Sequence, residues 1–343
     1  MFKIKKENLN DLYAKIAETE GLYLPIKKGG EVNYHVWGEG KEVSLDTLKT
    51  VRSPKDAFFP QSENMMKFKT EGKNIEIIDV REDEKKPFVL FGVKACDYKA
   101  IEVLDRVFLM DPVDTYYKAR RDAITIVTLA CSKPEESCFC SVFGIDATAP
   151  NGDVTTWLDE NYLYWQANTQ KGEALTEKVS ALFEKGGEAE VEAQQANTKA
   201  IMAKLPFAAL DLSRFKPENL NDLFNAPEWQ SLSEACLGCG TCTFVCPTCQ
   251  CFDIRDFKTR DGILRYRCWD SCMYSDFTLM AHGNSRTTQM QRYRQRFMHK
   301  LVYYPSQNDG LYSCVGCGRC VNKCPQRLNI VKVINTLGGK NND

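Results

Sequence analysis

Two spacings of apolar residues alternate along the first half of the chain. Between Asn8 and Glu18, residues Leu9, Leu12 and Ile16 fall on one side of a helix. Pro87–Val93 is a short, continuous apolar run rich in β-formers and predicts a buried strand. Ala95–Phe108 follows, with Ala100, Val103, Leu104 and Val107 at helical spacing. Ala123–Leu129 is a second run of the strand type. Strand, helix, strand is the order of a parallel unit. The aromatic stretch Val154–Ala167 predicts a hairpin. Residues 171–204, rich in Glu, Ala, Lys and Gln, predict two surface helices broken at Gly186-Gly187. Short helices are expected between Lys216 and Ser233, and mostly helices after Cys236, including Phe277–Ala281 and Arg286–Lys300.

This pattern predicts an α+β protein. An N-terminal α/β domain with a short parallel sheet spans 1–168, a helical connector 169–230, and a helical domain 231–343. Length agrees, since 343 residues suit about two domains. The formal charge is −1, from 45 basic and 46 acidic side chains. Such balance offers no electrostatic footprint for nucleic acid or an anionic membrane. No apolar run approaches the roughly 20 residues of a membrane span. The first residues, Met1-Phe2-Lys3-Ile4-Lys5-Lys6-Glu7, run straight into charge, so no export signal is read there and a cytoplasmic protein is expected.

Cysteine changes the picture. There are 16, none before Cys96, four from Cys96 to Cys140, and twelve from Cys236 to Cys324. In a reducing compartment, bunched cysteines point to metal ligation or redox chemistry rather than to disulfides. Cys236, Cys239, Cys242, Cys246 and Pro247 form a C-x2-C-x2-C-x3-C-P run. Cys314, Cys317, Cys320, Cys324 and Pro325 repeat it. Three cysteines at this spacing wrap three corners of a cubane, and the fourth reaches the other cluster. The expected ligand sets are Cys236, Cys239, Cys242 and Cys324 for one [4Fe–4S] cluster, and Cys314, Cys317, Cys320 and Cys246 for the other. Zinc favours separated C-x2-C pairs over this run. The long segment between the motifs predicts a helical ferredoxin-like module closed by its exchanged fourth ligands.

Cys96 and Cys131 each follow a predicted strand. If those strands are parallel neighbours, both cysteines lie at one sheet edge, within reach of Cys138-Phe139-Cys140. These four are a candidate third [4Fe–4S] site, with Asp97 as a substitute ligand. Buried thiols or a redox disulfide are the alternatives. Cys249, Cys251, Cys268 and Cys272 are read as lining the two strong motifs, with a further metal site as the alternative; Cys268 and Cys272 would share a helix face. Arg286, Arg292, Arg294, Arg296 and Lys300 read as a solvated helix face. His35, His282 and His299 show no metal spacing. No G-x-G-x-x-G or Walker A run appears, and Gly38-Glu39-Gly40 lacks a third glycine.

The order of motifs resembles that of the iron–sulfur subunit of anaerobic sulfite reductases and the beta subunit of soluble [NiFe] sulfhydrogenases. The resemblance rests on Ser53–Gln61, Gly92–Asp97, Cys138–Cys140, Cys246–Cys251, Trp269–Cys272 and Cys314–Pro325, and spans nearly the full length. Cys268 is extra to that pattern. The resemblance implies a relay without substrate chemistry of its own. An NAD(P)H-oxidising flavoprotein subunit would supply electrons, and a terminal reductase or [NiFe] hydrogenase subunit would accept them. The chain lacks the C-x5-C and distant C-x3-C pair of a sirohaem subunit. The competing expectations are a self-contained flavin- or thiol-dependent oxidoreductase using the N-terminal domain, and a zinc-stabilised scaffold.

Overall fold

The computed structural model describes residues 1–79 and 86–339. Its larger sheet is built from β1 (Phe2–Lys5), β2 (Gly21–Lys28) and β3 (Glu31–Val36), then β6 (Phe88–Val93), β7 (Ile124–Leu129), β8 (Val154–Leu158), β9 (Tyr162–Ala167) and β10 (Glu184–Lys185). The strands lie in the order β10-β1-β9-β8-β7-β6-β2-β3. The four central strands, β8-β7-β6-β2, are parallel, and the flanking pairs are antiparallel. The smaller sheet contains β4 (Ser62–Glu71) and β5 (Asn74–Asp79), with β11 (Phe252–Thr259) and β12 (Gly262–Trp269).

Burial explains the continuous apolar runs. Every residue of β6 and β7 is buried, because helices cover both faces. Val89, Phe91, Val127 and Leu129 pack under α1 (Leu9–Ala17) and α4 (Gln170–Val179). Phe88, Leu90, Ile124 and Ile126 pack under α2 (Ala95–Phe108) and α3 (Thr115–Ala123). The register shifts between Phe91 and Val93, where Gly92 has φ 87°. This bulge turns the end of β6 towards the start of α2, and so aims Cys96. The hairpin at 154–167 forms as expected, as do α4 and, after Gly187, α5 (Glu188–Met202).

The C-terminal half is helical around a core of Trp229, Leu232, Tyr293, Phe297, Leu301 and Ile334. It departs from the expected pattern at 252–269, which is a hairpin. Gly262, at φ 150°, explains why: a Cβ there would lie 1.8 Å from the Phe68 carbonyl oxygen. Only glycine lets β12 lie in register on β4, with Ile263 opposite Phe68 and Cys268 opposite Ser62. Phe277–Ala281 is not a helix but a single 3-10 turn and a short bridge. The basic helix begins at Gln289, behind a capping box made by Thr288 and Gln291, and ends at Met298 in a π turn. The smaller sheet thus joins the two halves of the chain. Its seam holds a buried network in which Glu63 pairs with Arg120 and Arg267, and Arg267 also reaches Asp114.

Candidate iron–sulfur centres

Each cysteine motif turns through two left-handed glycines. Gly238 and Gly240 have φ 67° and 72°, and Gly316 and Gly318 have φ 58° and 75°. Short helices, Thr241–Phe244 and Arg319–Lys323, leave from the second glycine of each pair. The backbone therefore loops tightly enough for all three thiols to face one point.

Cys236, Cys239, Cys242 and Cys324 line one cavity. Met273, Phe297 and Leu328 make it apolar. Leu328 N–H donates to Cys324 Sγ at 3.3 Å, and Gln289 Nε2 to Cys236 Sγ at 3.4 Å. Burial pushes the Cys242 thiol up to about 12, while Cys239, at the exposed rim, is lowered by its hydrogen bonds with Thr241.

Cys246 leaves this loop towards the second motif. Its Sγ lies 3.2 Å from Thr248 Oγ1, which donates to the carbonyl of Ser313 at 2.7 Å, beside Cys314. Lys300 Nζ donates to both Thr248 Oγ1 and Ser313 O, at 2.8 and 3.0 Å. A hydrogen bond from Cys249, with Lys300 and Arg296 beside it, holds the Cys246 thiol well below its usual range despite burial. Cys317, in contrast, is pushed up to about 12 by burial.

Cys96, Cys131, Cys138 and Cys140 line a third cavity, at the carboxyl edge of β6 and β7. Burial pushes Cys131 up to about 11 and Cys140 up to about 12. Cys317 and Gly316 of the second motif line the same cavity. Phe139 N–H donates to Gly316 O at 3.0 Å. Asp97 is not free to act as a substitute ligand. Its two oxygens accept from Arg319 at 2.6 and 2.7 Å, and both side chains are buried.

Cys249, Cys251 and Cys272 gather beside Cys246, at the root of the hairpin, where Asp270 N–H donates to Cys251 O at 2.9 Å. Cys268 is on β12, near Asp253 and Arg255, and shares no helix face with Cys272. The basic stretch is also not a solvated face. Arg296 and Lys300 are 2% and 3% exposed, and Arg294 stacks 3.6 Å over Phe224. Sequence reasoning missed these two cations, although Tyr293, Arg296, Phe297 and Lys300 follow helical spacing on an aromatic face.

The donor sets suit a cubane better than a single ion. Among the described residues no three Cys, His, Asp or Glu side chains converge closely enough for one metal ion. Around zinc, with Zn–S of about 2.3 Å, four sulfurs would crowd one point; here the first set and the set at Cys96, Cys131, Cys138 and Cys140 each line a cavity. Tyr293 Oη, Arg296 Nε and Nη1, and Ser313 Oγ are buried beside the two motifs without a hydrogen-bond partner. Cluster sulfurs would supply the missing acceptors.

Comparison with known proteins agrees. Residues 235–328 match the 4Fe-4S dicluster domain. Sulfhydrogenase 2 subunit beta of Pyrococcus furiosus is 33% identical over 342 residues, covering 98% of this chain and 97% of that protein. The chain belongs to the sulfhydrogenase beta-subunit family. As a member of that family it is an electron-transfer iron–sulfur subunit carrying [4Fe–4S] clusters. No described helix is long and apolar enough to cross a membrane.

Proposed function

We propose that this protein is the relay of a cytoplasmic, anaerobic oxidoreductase complex, holding three [4Fe–4S] clusters in one row. Cys236, Cys239, Cys242 and Cys324 hold the outermost. Cys314, Cys317, Cys320 and Cys246 hold the middle one, and Cys96, Cys131, Cys138 and Cys140 the third. When bound, the clusters supply one-electron transfer. The chain itself makes and breaks no substrate bond; it fixes their places, excludes water and sets their potentials. An NAD(P)H-oxidising flavoprotein stands at one end of the relay, and the other end meets a terminal reductase or [NiFe] hydrogenase subunit.

One observation carries the row. A Cβ on Gly316 would lie 2.4 Å from the Phe139 carbonyl oxygen, and one on Gly318 would lie 2.2 Å from that of Ser137. The loop bearing Cys138 and Cys140 is thus pressed backbone to backbone against the second motif, and Cys317 of that motif also lines the cavity of the third cysteine set. Anaerobic iron and sulfide analysis tests it. About twelve iron atoms per chain are expected, and about eight would remove the third cluster. Native purification that returned neither a flavoprotein nor a reductase or hydrogenase subunit would refute the relay.

A second reading draws on a cleft at the carboxyl ends of β7 and β8. Leu129, Ala130, Leu158, Asp159 and Lys94 line it, and Lys94 also lines the third cavity. A flavin there would make the chain a self-contained oxidoreductase. Flavin retained by the isolated chain, or NAD(P)H oxidation by it alone, would select this reading.

A further inference from the structure

Arg296 stands where the first and second cysteine sets meet. It lines the first cavity, and its Nη2 donates to Cys242 O at 2.9 Å. The sulfurs of Cys242 and Cys320, then those of Cys249 and Cys246, are the charges that act on it most. Its Nε and Nη1 are buried without partners, and the side chain is 2% exposed. Among the described residues no carboxylate pairs with it. A guanidinium keeps its charge in any protein environment, so this buried cation needs an anion and two acceptors.

The two proposed ligand sets answer both needs. A [4Fe–4S] core held by four thiolates is anionic and gains one further negative charge on reduction. Lys300 neutralises charge beside Cys246, Cys249 and Cys314, and its hydrogen bonds go to Thr248 and Ser313. Arg296 instead has its Nε and Nη1 unpartnered and a cysteine of each set nearby. We propose that Arg296 is a positioning residue shared by the two clusters, donating its free N–H groups to sulfurs of both and raising both reduction potentials together. The guanidinium releases and takes up no proton in the step; each reduction adds one electron and leaves Arg296 cationic. The inference rests on the ligand sets proposed above.

The experiment uses the full chain, purified without oxygen, with ¹⁵N-guanidinium arginine incorporated. Pulsed paramagnetic resonance on the reduced protein should show ¹⁵N coupling at the first cluster, where Arg296 is, among the described residues, the one arginine lining the cavity. The coupling should vanish in Arg296→Lys. No coupling in the unsubstituted protein overturns the inference without any variant having to fold. In Arg296→Gln with full iron content, the midpoint potentials of both ferredoxin-type clusters should move negative, while the third stays in place. Arg296→Lys, which keeps the charge and loses the fork, should recover part of the shift. Unchanged potentials, or a shift at one cluster only, overturn the shared role. Unsubstituted protein with too little iron for two clusters would instead overturn the ligand sets beneath it.

Discussion

The two ferredoxin-type motifs share every cysteine, glycine and proline position and sit in opposite surroundings. The first is at a rim, with Cys239 and Leu237 exposed. A Cβ on its Gly240 would meet the phenol tip of Tyr274 at 2.6 Å, a group that can swing aside. The second is enclosed. Val315, Cys317 and Arg319 are buried, and its glycines lie under the fixed backbone of Ser137 and Phe139. Spacing thus builds the nest, while the neighbour decides whether it serves as a terminus or as a junction. The rim suits exchange with a partner protein, and the enclosed motif suits transfer within the chain.

Iron removal should separate the halves most sharply. Both nests close the C-terminal core, so chelation should abolish the helical signal of residues 231–339 and leave the large sheet folded. Circular dichroism with limited proteolysis checks this, and a chelated protein that keeps all its helix would contradict it. Next in size, Asp97→Asn leaves the buried Arg319 without its counter-ion. A loss of about 3–5 kcal/mol is expected in denaturant titration, along with looser attachment of the third cysteine set. Among the described residues, the rim at Cys236–Cys246 has no such ion pair to lose.

A smaller effect should follow from pH. Burial, then Lys300 and Arg286, lower His299 to about 4. The unfolded chain binds that proton first, so the stability is present above about 6.5 and is lost as pH falls towards 4. The loss approaches about 3 kcal/mol across that window. It is read as the difference between the protein and His299→Gln, and equal slopes for both would exclude His299. The smallest contrast compares the glycines themselves. Gly316→Ala should cost about 2–4 kcal/mol, from strained φ plus backbone overlap. Gly240→Ala should cost about 1 kcal/mol, from φ alone. Equal melting shifts would show that the second motif is no more enclosed than the first.

The central strands β6 and β7, the hairpin at 154–167 and helices α1 and α2 were legible because each is periodic or buried in the way its pattern implies, whereas β1, β2, β3 and β10 were not read from the sequence. The hairpin at 252–269 was hidden by the expectation of helix between the motifs, although Asp261-Gly262 is a turn signal. Its partner, β4, is almost two hundred residues away. Arg296 and Lys300 were misread because charge on a helix usually marks the solvent side; here it marks the side facing thiolates.

The cysteine spacings alone determined the chemistry, since ligand type and loop geometry are local properties of a few residues. The parallel runs at 88–93 and 124–129 likewise placed Cys96 and Cys131 at one edge. Tertiary structure alone decided that this edge abuts the second motif, that Asp97 is committed to Arg319, and that an arginine with two empty donors stands between the two nests. Those facts depend on contacts between residues as far apart as Phe139 and Gly316, and no local pattern encodes them.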